Sequence, residues 1–348
     1  MTAAGAARRA AWLLAGLVLF VLALELLKKG AAAVGPVLRG LEITGLPGAL
    51  GFGWVMACVV LSGSPVAAIA LALLAARELS TEEAFGMIGG SRLGASFVVL
   101  VVGILDDLRH RRTEKRSAYI GVAALLTTAV VYVPALFVGL AALRAGAFAG
   151  LRLEGRELGS ILAGVYGPLV SPLVRHLPAA ALFLAGIACL LVGFRLIDRA
   201  LPDLQGRESP MSQAGRVAYR PWFMFVVGLG VTALTLSVSV SLSLLVPLAA
   251  RGYVRRENVV PYILGANITT FIDTLFAGAL VGHPDGVRIV AVLMATVTAL
   301  SLPLVFLFPY SFERLVDHAA RAATGSGRAV LVFVAGLFLV PLLLMALS

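Results

Sequence analysis

The chain has 348 residues, of which 60% are hydrophobic and 13% are charged, and its mean hydropathy is +0.99. An ordinary soluble domain carries about 25% charged residues. The composition therefore excludes a soluble globular protein and indicates an all-α polytopic membrane protein, with the lipid bilayer as its surroundings. The formal net charge of +10 lies mainly in short loops, where it reports membrane topology. Because no motif of basic and aromatic residues accompanies it, we expect no nucleic-acid partner.

Apolar runs that approach or reach about 20 residues predict a series of membrane-spanning helices. In chain order they cover 10–28, 84–105, 118–143, 178–198, 257–280, 288–309 and 329–347. The chain divides around them into an N-terminal helix with an outer linker (1–45), a first transport repeat (46–143) with a hairpin over 46–76, a connecting segment (144–220), a second transport repeat (221–309) with a hairpin over 221–250, and an inner linker with a C-terminal helix (310–348).

Two apolar segments need a separate interpretation. The run 10–28 follows two arginines, as a signal peptide does, but Lys28 and Lys29 interrupt it before the small residues 31–33 that could form a cleavage site. We therefore expect an uncleaved helix with a cytoplasmic N-terminus, in a multi-pass protein of the cell (inner) membrane. Glycines and prolines break the segment 158–176, which predicts an interfacial or re-entrant piece on the outer face.

The basic residues of the predicted loops indicate the orientation of the two repeats. Loop 106–117 contains five basic residues, whereas its counterpart 281–292 contains only Arg288. The turn 251–257 contains three, whereas its counterpart 77–83 contains one. Because basic loops remain in the cytoplasm, 106–117 and 251–257 are placed inside and their counterparts outside. Each repeat is thus predicted to be inverted relative to the other.

This orientation also predicts that each repeat begins with a re-entrant helical hairpin. The segment 221–250 lies between two basic loops, 195–220 and 251–257. Both of its ends are therefore placed in the cytoplasm. A straight helix of about 30 residues would be about 45 Å long, which exceeds a hydrocarbon core of about 30 Å. The segment must therefore turn back, and we place the turn at 237–239. By the same argument, 46–76 enters and leaves on the outer side and turns at 62–64.

The two repeats correspond at a constant offset of 175 residues without a gap. The matching pairs are Gly53/Gly228, Ser62/Ser237, Ser64/Ser239, Glu82/Glu257, Gly90/Gly265, Gly103/Gly278 and Pro134/Pro309. A duplicated unit that carries polar, glycine-broken patches inside apolar helices is typical of secondary transporters.

Serines lie at both predicted turning points. Ser64 followed by Pro65 predicts a helix start, with Ser64 as the N-cap and Pro65 at the first helical position. Ser237 and Ser239 likewise predict a helix start in the second hairpin. Ser62 in the first hairpin corresponds to Ser237. Helix starts direct free N–H groups and the positive end of the helix dipole at the tips, which favours an anion site between them. The alternative is that small residues only allow close helix packing.

Arg92 and Asp273 are charged residues within apolar runs, one in each repeat. A charge at membrane depth costs ~2.5–3.5 kcal/mol on insertion scales, so it requires a partner or a function. Arg92 is predicted either to pair with Asp273 or to bind a substrate anion, and the alternative is that it extends to a lipid headgroup. Asn267, Thr269 and Thr270 offer neutral oxygens that could hold Na⁺ or bond an oxyanion, or that could form ordinary interhelical hydrogen bonds.

Asp106 and Asp107 form a carboxylate pair near a predicted helix end. A membrane transferase could use such a pair to hold Mg²⁺, but it would need further acids at fixed spacing, and none follows. We interpret the pair as balancing the basic loop 106–117. Because the sequence also lacks a P-loop, an HExxH motif and a nucleophile elbow, we do not expect an enzyme.

At these patches the chain resembles the sodium-dependent phosphate cotransporter family. Members of that family carry two inverted units, each with a re-entrant hairpin whose tip reads Gln-Ser-Ser-Ser, followed by a Gly-Ala-Asn-Ile-Gly-Thr-Thr stretch. In the second repeat, Thr232 leads into the tip, Ser237 and Ser239 take the outer serine positions, and 265–270 is close to the family stretch. The resemblance covers roughly 46–134 and 221–309.

The first repeat is less similar to the family, and both repeats depart from it. Ser62 and Ser64 match, whereas 90–94 is a degraded copy of the glycine-rich stretch. The departures are Leu61 and Leu236 at both glutamine positions, Gly63 and Val238 at both middle serines, and Arg92 at an asparagine. Since the family uses such groups to hold sodium and phosphate, a fixed Arg92 charge could stand in for Na⁺ and alter or remove the sodium dependence.

The resemblance implies a secondary active transporter of a small inorganic or organic anion, phosphate-like, that works by alternating access. The predicted substrate-binding residues are Ser62, Ser64, Arg92, Ser237, Ser239 and Asn267. The predicted ion-binding residues are Thr232, Thr269, Thr270 and Asp273, with Na⁺ as the possible coupling ion and no other cofactor. The alternative is a non-transporting membrane scaffold or sensor on the same fold, which the apolar residues at both glutamine positions favour.

Overall fold

The computed structural model describes residues 3–40, 43–109, 116–151, 166, 168, 170–200, 220–250, 254 and 258–348, and the regular secondary structure in these ranges is helical. The helices are α1 (Ala3–Gly30), α2 (Val34–Gly40), α3 (Gly45–Val60), α4 (Gly63–Ala75), α5 (Thr81–Ala95), α6 (Phe97–Arg109), α7 (Arg116–Arg144), α8 (Ala179–Ala200), α9 (Pro221–Thr235), α10 (Val238–Ala250), α11 (Val259–Thr269), α12 (Phe271–Leu280), α13 (Pro284–Phe306), α14 (Pro309–Thr324) and α15 (Gly327–Ala346). A 3₁₀ turn, Ala31–Ala33, joins α1 to α2.

Seven helices or consecutive helix pairs in the described ranges are long and apolar enough to cross a membrane. They cover Ala7–Leu38, Thr81–Leu108, Ser117–Arg144, Ala179–Ile197, Val259–Leu280, Pro284–Phe306 and Gly327–Ala346. Each corresponds to one of the spans expected from the sequence, so the prediction of a polytopic all-helical membrane protein is confirmed.

Both predicted hairpin segments contain a helix break. Leu61 directly follows the end of α3, and Leu236 directly follows the end of α9. Both leucines adopt the left-handed conformation, with φ of 57° and 47°. This conformation costs a side chain other than glycine roughly 1–2 kcal/mol. The same strained residue at two equivalent positions indicates that both breaks are required by the surrounding structure.

The helix that follows each break begins at a serine, although not always at the predicted one. Ser62, in extended conformation, is the N-cap of α4, so the prediction of Ser64 as the cap was wrong. Pro65 lies within the first turn of α4 rather than at its first position, and the first turn leaves N–H groups unpaired in any case. Ser237 does cap α10, because its Oγ accepts a hydrogen bond from Val240 N–H at 3.3 Å.

The two repeats pack their helices in the same way. A Cβ atom on Gly53 in α3 would lie 2.1 Å from the carbonyl oxygen of Met87 in α5, and one on Gly228 in α9 would lie 2.1 Å from that of Tyr262 in α11. Both glycines and both carbonyls differ by 175 in number. The backbones therefore approach closely at equivalent positions in the pairs α3/α5 and α9/α11, where only glycine fits.

Contacts between the repeats show that α5 and α12 run in opposite directions. Thr81 at the start of α5 donates to Asp285, just after the end of α12, at 2.8 Å. Further along α5, Arg92 donates to Thr274 in the first turn of α12. The long helix α7 of the first repeat packs on α5 and α6 of its own repeat and on α10 and α11 of the second.

Asp106 and Asp107 cap the start of α7. Asp107 accepts hydrogen bonds from the N–H groups of Ser117 at 3.1 Å and Ala118 at 2.9 Å, and Asp106 accepts one from the Ser117 hydroxyl at 2.6 Å. Carboxylates at a helix N-terminus satisfy free N–H groups and the positive end of the dipole. These contacts give both acids a structural function at the loop that they were expected to balance.

The region after α13 differs from the prediction. The sequence indicated an inner linker before the C-terminal helix, whereas the structure has the amphipathic helix α14. Phe312, Val316 and Ala320 recur at helical spacing and are buried on its inner face, which packs against α7. Asp317 accepts a hydrogen bond from the Tyr119 hydroxyl at 2.7 Å and fixes α14 to the start of α7.

Two predicted features lie largely outside the described residues. In the segment 158–176, the structure describes Tyr166, Pro168 and the helical residues 170–176. Tyr166 and Val170 pack against Leu26 of α1 and Leu182 of α8. In the basic turn 251–257, it describes only the buried Val254.

Candidate functional site

The centre of the site is the guanidinium group of Arg92, which projects from α5 and is 1% exposed. Its Nη1 donates to Thr270 Oγ1 at 3.0 Å and to Ser64 Oγ at 3.5 Å, and its Nη2 donates to Thr274 Oγ1. These hydroxyls come from α4 and from the junction of α11 and α12. Arg92 therefore joins the first transport repeat to the second through side-chain hydrogen bonds.

The acidic member of the site is Asp273. Its Oδ1 lies 3.5 Å from Arg92 Nη2 and accepts a hydrogen bond from the Thr274 hydroxyl at 2.8 Å. The structure thus brings the two buried charges together, as the first of the two predicted roles of Arg92 requires, and Arg92 does not extend to a lipid headgroup. Pairing offsets the large cost of burying either charge alone.

Aromatic rings line the other side of the guanidinium. The Phe271 ring lies with its centroid 5.1 Å from Arg92 Cζ, a cation–π contact. Tyr132 of α7 stacks on Phe271 at a centroid distance of 6.0 Å, and its hydroxyl donates to the Asn267 carbonyl at 2.9 Å. Neither ring was identified from the sequence, and neither was Thr274, because aromatic and hydroxyl residues are common in apolar helices.

Asn267 lies beside this group and is held by α7. Its Nδ2 donates to Thr128 Oγ1 at 3.1 Å, and Thr128 Oγ1 in turn lies 3.0 Å from Ser96 Oγ, at the junction of α5 and α6. All three side chains are buried. The predicted interhelical hydrogen bond of Asn267 is therefore present, and it connects α11 to α7.

Two of the predicted ion-binding threonines, Thr232 and Thr269, form hydrogen bonds that do not involve Arg92. Thr232 Oγ1 donates to Ser241 Oγ at 2.7 Å, which lies 2.8 Å from the Tyr262 hydroxyl, so that a buried hydroxyl chain joins α9, α10 and α11. Thr269 donates to the Leu229 carbonyl at 3.1 Å. Of the four predicted residues, only Thr270 and Asp273 contact Arg92.

The serines at the helix breaks differ in their surroundings. Ser64 is 9% exposed and contacts Arg92, whereas Ser62 is half-buried. Ser237 is also half-buried, and its backbone carbonyl accepts a hydrogen bond from Thr235 Oγ1 at 3.2 Å. The side chain of Ser239 lies outside the described part of the structure. The first break is thus connected directly to the Arg92 site.

Several polar atoms of the site retain bonding capacity. Arg92 Nε and Asp273 Oδ2 are buried and have no hydrogen-bond partner among the described residues. Within the described ranges, no three His, Cys, Asp or Glu side chains come together as a metal-binding group. The site is therefore a guanidinium with hydroxyl, carboxylate and amide groups, which can bind an oxyanion through charge-assisted hydrogen bonds.

At one end of the bundle, ion pairs within each repeat and hydrogen bonds between the repeats hold several helices together. Arg144 at the end of α7 donates to both Glu82 oxygens, at 2.8 and 2.7 Å. Arg288 of α13 bonds Asp285 at 3.1 Å and the Leu143 carbonyl at 2.7 Å. Together with the bond from Thr81 to Asp285, these contacts hold α5, α7 and α13 together; we call this end the Thr81 end.

An open cavity of about 550 Å³ lies at the Thr81 end and not at Arg92. It is lined by the turn between α4 and α5 and by His283, whose Nδ1 accepts a hydrogen bond from Asp285 N–H at 3.2 Å. The pKa of His283 lies below its usual value, mainly because the imidazole is partly buried. Nearby Asp285 opposes this shift, and Arg77 adds to it. The lining also includes Arg77, Glu78 and Glu83, so the cavity contains side chains of both charges.

One comparison with known proteins gives a match. The family model described as Na+/Pi-cotransporter matches residues 182–346, from α8 to the end of α15, and this match supports membership in that family. The matched region contains the second transport repeat, including Asn267, Thr270 and Asp273, whereas Arg92 and the first repeat precede it. Neither a curated protein nor a solved structure matches the chain.

Proposed function

We propose that this chain, a multi-pass membrane protein of the Na⁺/Pi-cotransporter family, is a secondary active transporter of a small, phosphate-like anion. The family points to a transporter rather than an enzyme. The observation that carries the proposal is the buried Arg92, which joins both repeats through hydroxyls and an acid. A buried charge beside a helix break is the type of site that transporters place near the middle of the membrane.

In this proposal the two repeats are inverted copies, each with a re-entrant hairpin. Three observations support it: the equivalent close approaches at Gly53 and Gly228, the equivalent helix breaks at Leu61 and Leu236, and the opposite directions of α5 and α12. Broken backbone is tolerated at membrane depth where it faces protein or a watery cavity. We place the N-terminus in the cytoplasm of a cell (inner) membrane protein, because the basic loops then lie inside.

The anion would bind at Arg92. A guanidinium offers donors in a planar fork that matches an oxyanion, and the hydroxyls of Ser64, Thr270 and Thr274 would add further hydrogen bonds. Ser62, Ser237, Ser239 and Asn267 complete the proposed substrate site. Because Arg92 forms an ion pair with Asp273 in this conformation, a bound anion would have to replace part of that contact.

Alternating access requires each end of the site to open in turn. At the Thr81 end, Thr81 with Asp285 and Arg288 with the Leu143 carbonyl connect helices of both repeats. We propose that this end is closed in the present conformation and opens when these contacts separate. Single hydrogen bonds of this kind contribute about 0.5–1.5 kcal/mol each, so they suit a closure that must be reversible.

Uptake by proteoliposomes tests the proposal. Vesicles with the wild-type protein should take up labelled phosphate or another oxyanion above the level of empty vesicles. Arg92→Ala should reduce uptake at least about tenfold, because charge-assisted hydrogen bonds contribute roughly 1.5–3 kcal/mol. Arg314→Ala, which removes an exposed arginine on α14, is the matched control and should leave uptake unchanged.

A second candidate is a non-transporting scaffold or sensor on the same fold. The apolar side chains of Leu61 and Leu236 at the two helix breaks favour it, because polar groups would be expected beside a transported anion. It predicts no uptake and no change in melting temperature with any oxyanion. Wild-type vesicles that take up no anion, together with an unchanged melting temperature, would replace the transporter proposal by this one.

A further inference from the structure

The atoms around the Arg92 guanidinium form the type of environment that also suits a small metal cation. The hydroxyl oxygens of Ser64, Thr270 and Thr274 accept hydrogen bonds from its terminal nitrogens, and Asp273 Oδ1 lies 3.5 Å from one of them. Hydroxyl and carboxylate oxygens are typical ligands of hard cations, and Na⁺ in transporters is held by oxygen groups at broken helices. The side chain that enters this group of oxygens brings a single positive charge.

The pair does not have the geometry of a fitted structural ion pair. Arginine–carboxylate pairs are frequently bidentate, with N–O distances of about 2.7–2.9 Å. Here a single Arg92 nitrogen approaches Asp273 to 3.5 Å, and the Thr274 hydroxyl lies between them, accepting from Arg92 and donating to Asp273. Asp273 Oδ2 and Arg92 Nε have no hydrogen-bond partner in the described residues. The guanidinium thus provides a positive charge beside the Asp273 carboxylate without forming a bidentate hydrogen-bonded pair with it.

The carboxylate requires a positive charge whether or not the arginine is present. Asp273 is 8% exposed, and an uncompensated carboxylate at this depth is strongly unfavourable. Removal of the Arg92 side chain would leave a space bordered by one carboxylate and several hydroxyls. Such a space would attract a cation from solution to restore the balance of charge.

We propose that Arg92 is a tethered counter-cation that occupies a Na⁺ site formed by Ser64, Thr270, Asp273 and Thr274. Binding of an anion by this chain is then independent of Na⁺ at this site. The consequence for transport rests on the proposed function, whereas the cation site does not.

Thermal unfolding of purified protein in NaCl and in choline chloride tests the inference. The wild type, Arg92→Lys and the surface control Arg314→Ala should each melt at the same temperature in both salts. Arg92→Ala and Arg92→Asn should melt at a higher temperature in NaCl than in choline chloride, because a ligand that binds only the folded state stabilises it. Adding Asp273→Asn to Arg92→Ala should abolish that difference.

Three results would overturn the inference. One is a Na⁺-specific stabilisation of the wild type that Asp273→Asn removes. Another is the absence of any salt difference in both neutral Arg92 variants, and the third is failure of both to fold even in NaCl. Uptake by the wild type is measured separately. A chain that shows the predicted salt response but transports no anion retains the cation site and refutes only the proposed function.

Discussion

The two transport repeats share their backbone arrangement but differ in side chains at equivalent positions. In the second repeat, Thr232, Ser241 and Tyr262 form a chain of hydroxyl contacts at 2.7 and 2.8 Å. The equivalent residues of the first repeat, 175 positions earlier, are all apolar: Ala57, Val66 and Met87. Helix packing alone therefore does not require the hydroxyls, since the first repeat reaches the same arrangement with apolar contacts.

The charges are also divided between the repeats. Arg92 in the first repeat is equivalent to Asn267 in the second, and Asp273 in the second is equivalent to Val98 in the first. Each repeat therefore carries one member of the buried ion pair. The pair forms only when the two repeats pack together, so the duplicated halves have become dependent on each other.

The feature that both repeats keep is the strained break. Leu61 and Leu236 both have positive φ, although glycine or asparagine would adopt this conformation more easily. Strained residues that persist at two equivalent positions are typical of functional sites. The comparison indicates that the break is common to both halves, while the chemistry beside it differs.

The largest expected effect tests the shared backbone arrangement. Gly53→Ala and Gly228→Ala should each reduce the free energy of unfolding by about 3 kcal/mol or more, because the new Cβ would overlap a carbonyl oxygen of the neighbouring helix. Gly230→Ala, on the same helix as Gly228 but with no atom near its Cβ position, is the control and should not destabilise. Thermal unfolding in detergent measures the effect. A strong effect in only one repeat would show that the two helix pairs do not pack alike.

A smaller effect tests the difference between the repeats. Ser241→Val should cost about 1–2 kcal/mol, because it leaves the buried Thr232 hydroxyl without its partner and the Tyr262 hydroxyl with only the Ser241 carbonyl, at 3.3 Å. The triple variant Thr232→Ala, Ser241→Val, Tyr262→Met installs the residues of the first repeat and should be less destabilised than the single variant. Melting temperatures of the two variants provide the measurement. A triple variant that is worse than the single one would mean that the second repeat depends on its hydroxyls.

Arg92 and Asp273 could be identified from the sequence because charges are rare inside apolar runs. Of the residues around them, Ser64 and Thr270 were also predicted as site residues, whereas Phe271, Tyr132 and Thr274 were not. Phe271 and Tyr132 have no distinguishing pattern within apolar helices, and the stacking of Tyr132 on Phe271 depends on how α7 packs against the second repeat. Thr274 is similarly indistinguishable from a threonine that bonds its own helix.

The helix breaks were located closely, but the details at their ends were not. The motif Ser64-Pro65 indicates the first turn of a helix but not its first residue, because proline is accepted throughout that turn. The break residues are leucines, which give no sequence signal for a left-handed conformation. The helix α14 was not expected, because its short apolar stripe lies among charged residues and resembles a linker.

The two repeats meet at the Arg92–Asp273 pair, and a double-mutant cycle measures the energy of this contact. Thermal unfolding is measured for the wild type, Arg92→Ala, Asp273→Ala and the double variant, in choline chloride so that Na⁺ cannot replace the arginine. Each single variant leaves a buried charge without its partner. If the two side chains are paired, the double variant should be less destabilised than the sum of the two single variants by about 1–3 kcal/mol. Additive effects would contradict this pairing.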